Sequence, residues 1–200
     1  MGREKLFRLG YESALIIFSV LLALLIDEYR VKLNEEALTQ KALSNVRSEL
    51  QNNLQTMEYW YEYHSDVAKN MKAALASEEF DEADYIIDGE VNIFSLIPKG
   101  VYQGLIDDSA WEAYRSSEVF SRLNFETMLA LSRVYNLQNS GVQQSLRMII
   151  EIFSSRDFIQ QDKVKENLVM LKRAFAELSA QESYLIHNYK ETLAALPEEE

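Results

Sequence analysis

The stretch LSNVRSELQNNLQTMEYWYEYHSDVAKNMKAA, residues 43–74, decides the fold. Leu43, Val46, Leu50, Leu54, Met57, Tyr61, His64, Val67, Met71 and Ala74 recur every three or four residues along it. That spacing places side chains on one face of an α-helix. No Gly or Pro occurs between Gly10 and Gly89, so one helix is expected from the N-terminal segment to about residue 77.

Upstream lies YESALIIFSVLLALLIDEYR, residues 11–30. Its uncharged core, residues 13–26, is fourteen residues long, bounded by Glu12 and Asp27. Extended back to Leu9, the segment reaches about 27 Å as a helix, close to the roughly 30 Å hydrocarbon core of a bilayer. Arg8 and Glu12 have pairing spacing, as do Asp27 with Arg30 and Glu28 with Lys32. Tyr11 and Tyr29 fall where interfacial rings are favoured. A transmembrane helix over residues 9–27 is therefore expected, after a short cytoplasmic N-terminus, residues 1–8. The competing readings are a buried or interfacial helix and a cleaved signal. The sequence after the apolar run, Ile26-Asp27-Glu28-Tyr29, makes a poor cleavage site. Basic residues flank the segment almost evenly, and the short stretch holding Arg3, Lys5 and Arg8 is expected to stay in the cytoplasm. The bulk would then be periplasmic or extracytoplasmic, with the protein single-pass in the inner (plasma) membrane. Glu12, Ser19, Ala23 and Ile26 share a helical stripe in which Ser19 and Ala23 have small-xxx-small spacing. Such stripes suit helix–helix contact in lipid.

Downstream, seven of the thirteen residues in 78–90 are acidic, and Gly89, Pro98, Gly100 and Gly104 punctuate the chain from there. Residues 78–108 are expected to form an acidic loop with one extended piece around 91–96. Asp107-Asp108-Ser109 reads as an N-cap ahead of a short helix over about 109–117, with another turn at about 119–123. Asn124 opens a further helix whose heptad-like positions continue across Asn139-Ser140-Gly141, so it is expected to be continuous or kinked there. The last helix carries Val164, Leu168, Leu171, Phe175, Leu178, Leu185 and Tyr189, with Glu182 the one polar member of its stripe, and ends before an acidic tail, residues 197–200. The expected fold is all-α: an N-terminal transmembrane helix continues into a long helix that packs in an antiparallel helical bundle of coiled-coil type, residues 28–196.

The chain of 200 residues has a net charge of −12, which argues against a nucleic-acid partner. With no cysteine, thiolate nucleophiles and cysteine-held metals are excluded. His64 and His187 lack the Glu-x-x-His spacing of dinuclear carboxylate sites, and the acidic loop lacks the alternating pattern of a calcium loop. Neither a phosphate loop, a nucleophile elbow nor a zinc-protease motif occurs. The chain is thus expected to be no enzyme and to hold no metal or cofactor. Trp60, Tyr63, His64 and Trp111 are candidates for a ligand or partner surface, against the simpler reading that aromatic residues at helical spacing are core.

The run ESALIIFSVLLAL at residues 12–24, followed by Asp27-Glu28-Tyr29-Arg30, resembles a family of small uncharacterised bacterial single-pass membrane proteins. So do Asp108-Ser109-Ala110-Trp111-Glu112-Ala113 and Leu131-Ser132-Arg133-Val134-Tyr135. Members often carry asparagine, glutamate and tryptophan in place of Asp27, Glu28 and Tyr29. The resemblance covers most of the chain and brings no activity with it. Two functions are expected from all this. One is an assembly or accessory subunit, homo-oligomeric or bound to a membrane partner. The other is an extracytoplasmic ligand-sensing module working with a separate signalling subunit.

Overall fold

A computed structural model describes residues 2–101 and 106–197, and of residues 3–9 the backbone only. The protein is all-α. Helix α1 (Arg3–Ala76) runs unbroken for 74 residues, passing through Gly10 and meeting no further Gly or Pro. After it come a 3₁₀ turn (Glu82–Tyr85) and a minimal antiparallel hairpin, β1 (Ile86–Ile87) with β2 (Glu90–Val91). The hairpin turns at Asp88 and Gly89, both at positive φ (52° and 81°). That is the left-handed conformation a two-residue turn demands. The extended structure thus lies at 86–91 rather than 91–96, because Asp88-Gly89 is the turn itself.

Helix α2 (Ser109–Arg115) is followed by a 3₁₀ turn (Glu118–Arg122). Helix α3 (Phe125–Leu137) begins where the Asn124 side chain accepts from the Thr127 amide at 2.8 Å. It passes through a π-helical turn (Gln138–Val142) into α4 (Gln143–Phe153). The expected continuity across Asn139-Ser140-Gly141 is therefore present, with a widened turn instead of a break. Two 3₁₀ turns lead to α5 (Val164–Ala195).

Helix α5 packs along the C-terminal part of α1, from about Val46 on, with α3 and α4 against α5. Val46, Leu50, Asn53, Met57, Trp60, His64, Val67 and Met71 are buried along one seam of α1, with Glu49 buried beside it. The matching seam of α5 is Val164, Leu168, Leu171, Phe175, Leu178, Glu182, Leu185, Tyr189 and Thr192, with Asn167, Ala174 and Asn188 buried beside it. Both sets alternate steps of four and three, the heptad seam of coiled-coil packing. Trp60 takes the core position expected for Tyr61, one residue away.

The bundle begins near Val46. Before Glu35, which pairs with Arg122, α1 projects alone. Leu15, Ile16, Ile17, Phe18, Leu21, Leu24, Leu25 and Ile26 are 50–65% exposed, on every side of the helix. Among the described residues no helix is long and apolar enough to cross a membrane. The span expected over residues 9–27 is thus not borne out as such: its uncharged core is short, and Leu9 and the Arg8 partner of Glu12 fall outside the described side chains. Most of the acidic tail, residues 198–200, also falls outside the described residues.

Candidate functional site

Polar residues interrupt the heptad seam at two levels, and each level ties the 97–108 connection to α1. At the first, Asn53 is buried on α1 and Gln138 is buried in the π turn. Asn53 Nδ2 donates to the Asp107 carbonyl at 2.6 Å, and the Asp107 amide donates back to Asn53 Oδ1 at 2.9 Å. Gln138 Nε2 also donates to the Asp107 carbonyl, at 3.2 Å, while its Oε1 accepts from the Tyr189 hydroxyl at 2.6 Å. The widened turn aims Gln138 inward to close this network. A Cβ at Gly141 in the same turn would stand 2.8 Å from Gln181 Oε1, the movable end of a side chain on α5.

One turn before Asn53, Glu49 is buried on α1. Its carboxylate accepts from the Ala110 amide (2.7 Å), the Trp111 amide (3.3 Å) and the Tyr135 hydroxyl (2.6 Å). Carboxylates satisfy helix N-terminal amides well, so Glu49 caps α2 from another element. The expected cap from Asp107-Asp108-Ser109 is different in kind: Asp107 Oδ1 holds the Ser109 hydroxyl (2.8 Å) and the Asp108 and Ser109 amides (2.8 and 3.0 Å). Those bonds, the Ser109 hydroxyl first, hold the Asp107 carboxyl below its usual range. Burial, then the Glu49 bond, push the Tyr135 phenol far up, so it remains a donor.

At the second level, His64 and Glu182 are both 0% exposed, with Nδ1 and Oε1 2.7 Å apart. The opposite ring nitrogen, Nε2, lies 2.7 Å from the Val101 carbonyl. A carbonyl only accepts, so Nε2 carries hydrogen. One further proton is shared between Nδ1 and Oε1. Glu182 Oε2 is buried without a hydrogen-bond partner. Burial raises the Glu182 carboxyl above its ordinary value, against the lowering effect of His64. An orphaned oxygen is costlier on a carboxylate than on a carboxylic acid, so geometry and burial both favour the neutral pair. Trp60 stacks on the imidazole at 5.4 Å and 23°. Tyr63 donates to the Gly100 carbonyl at 2.8 Å and accepts from the Lys99 amide at 3.1 Å.

Of the candidates from the sequence, the structure brings Trp60, Tyr63 and His64 together and leaves Trp111 elsewhere. Trp111 stacks on Tyr135 at 5.3 Å and 3° beside Glu49. Positions 49 and 60 of α1 are about 16 Å apart along its axis. Trp60 and His64 are committed to the core. His187 is exposed and within 3.3 Å of Glu191. The stripe of Glu12, Ser19, Ala23 and Ile26 shares one exposed face of the projecting helix, where the Ser19 hydroxyl donates to the Leu15 carbonyl at 2.8 Å. Glu49, Asn53 and Gln138 were not singled out from the sequence. The signal for Asn53 was there: the strict four–three alternation through Val46, Leu50 and Met57 passes through it. Among the described residues no three His, Asp or Glu side chains converge to hold a metal.

The arrangement can share a proton inside a buried core and fix a connection to a helix. Comparison with protein-family models, characterised proteins and solved structures finds no match, so the family resemblance rests on the residues quoted for it.

Proposed function

We propose that the protein is a non-enzymatic, membrane-anchored helical bundle serving as an assembly or accessory subunit. One observation carries this: α1 leaves the bundle with large apolar side chains exposed around its whole circumference over residues 15–26. A helix apolar on one side asks for one partner; a helix apolar all round asks for lipid. The fourteen uncharged residues cover about 21 Å, short of the roughly 30 Å core. Snorkelling ends and local thinning of the bilayer make up the rest at modest cost. Ser19 supports this reading, since its hydroxyl is satisfied within the helix as an apolar medium demands. The N-terminus would lie in the cytoplasm and the bundle outside it, in an inner (plasma) membrane. Glu12, Ser19, Ala23 and Ile26 would then face a neighbouring helix, from a second copy or a membrane partner. The sensing alternative loses support because Trp60 and His64 are buried and partnered within the core.

Flotation with liposomes tests the anchor. The full chain is expected to float, and Leu21→Lys with Leu24→Lys to stay at the bottom of the gradient. A double variant that floats equally well would sink the proposal.

A further inference from the structure

Between α4 and α5, on the side of α5 turned away from α1, runs an open groove of about 750 Å³. Its apolar floor includes Met148, Ile152 and Met170, with Ala174 beneath. On α4 the lining positions 148, 151 and 152 form one helical face, with Ser155 just past its end; on α5 positions 166, 170, 173 and 177 do the same. The α5 face extends about 16 Å, three helical turns. The rim carries four carboxylates, Glu151, Asp157, Glu166 and Glu177, against one guanidinium, Arg173. Lys163 pairs with Glu166 at 2.9 Å, which leaves the balance negative.

We propose that this groove receives a cationic amphipathic helix of a partner protein, about three turns long, with an aliphatic stripe on Met148, Ile152 and Met170 and Lys or Arg facing the carboxylates. The inference rests on the accessory-subunit reading and names the chemistry of its partner. Unbranched methionine side chains repack around varied aliphatic shapes. Helix-in-groove recognition uses such a floor with complementary charge at its edges. A second copy of this chain fits poorly: an isologous contact would set these carboxylates against themselves, on a chain of net charge −12.

Methionine-methyl NMR on the full chain in neutral-lipid nanodiscs reads the groove directly, because Met57 and Met71 are fully buried on α1 and serve as silent references. The probe is a synthetic fourteen-residue helix with a leucine stripe and lysine flanks; its control has glutamate flanks. The lysine peptide is expected to move the Met148 and Met170 signals and leave Met57 and Met71 still. Glu166→Lys with Glu177→Lys, both at exposed positions, should weaken the titration at least tenfold. The proposal is overturned if the two groove methyls stay still, if both peptides move them equally, or if they shift with protein concentration alone, which would assign the groove to a second copy. Liposome flotation is unaffected by any of these outcomes, so a failed groove and a failed anchor are told apart.

Discussion

His64 and Glu182 form a pair whose chemistry is settled by hydrogen counting. The Val101 carbonyl fixes hydrogen on Nε2, so the state of the pair turns on the single proton between Nδ1 and Oε1. If that proton sits on Glu182, a glutamine there mimics it: its amide donates to Nδ1 and its carbonyl takes the place of the unpartnered Oε2. Glu182→Gln is therefore expected to change stability by less than about 1 kcal/mol, whereas Glu182→Leu, which leaves Nδ1 unpartnered, should cost about 1–3 kcal/mol. Urea unfolding checks both; a glutamine variant as damaged as the leucine one would mean that the fold needs the charged carboxylate. The pH dependence has a definite sign. Glu182 is raised from an ordinary 4.5 by burial, so the unfolded chain releases its proton first as pH rises. Its contribution is full below that ordinary value and is lost as pH climbs through the raised folded one. Relative to Glu182→Gln, the native chain should lose stability from pH 5 upward; a flat difference would sink the assignment.

At the scale of elements, α2 shows a short helix formed by something outside itself. Seven residues are too few to stand alone, and the chain supplies a buried carboxylate from α1 to hold the first amides. Glu49→Ala removes the acceptor for Ala110, Trp111 and the Tyr135 hydroxyl at once. It should cost about 1.5–3 kcal/mol in chemical unfolding and weaken the near-ultraviolet dichroism of the Trp111–Tyr135 stack. Preserved dichroism with unchanged stability would show that α2 is held by packing alone. Glu49 also marks the limit of the sequence. Periodicity identified the helices, the buried face of α1 and even Glu182 as a polar member of an apolar stripe. It says which face a residue occupies, while pairing His64 with Glu182 needs the antiparallel register of two helices 118 positions apart in the chain. That register is set by contacts with no local signature. It is visible only in space, where Arg47 donates to the carbonyls of Leu193, Leu196 and Pro197, and Asn53 and Tyr189 both meet Gln138. The two polar levels themselves work against slippage: a shift by one heptad would bury His64 and Asn53 against leucine and phenylalanine. Similarly, Trp60 and Trp111 are both surface candidates on their aromatic character, which carries no information on the distance between them.

For the whole molecule, the question is whether the apolar projection belongs to the folded core or to its surroundings. The core starts near Val46, and between Asp27 and that point α1 touches the bundle lightly: Glu35 pairs with Arg122, and Leu38, Lys41 and Ala42 border a cleft against α2. About 28 Å of largely polar helix thus separates the apolar segment from the core at Val46. Because that spacer is continuous helix, it transmits orientation as well as distance. A segment that contributes nothing to the core can be removed without loss of the core, even though its sequence is the most hydrophobic in the chain. A chain beginning at Glu28 is therefore expected to be monodisperse without detergent, to unfold cooperatively, and to keep its Tm within about 5 °C of the full chain, since less than about 1 kcal/mol of packing is lost. It should also fail to float with liposomes. A truncated chain that aggregates or unfolds broadly would show that residues 11–27 pack into the bundle, and the lipid anchor would fall with that result.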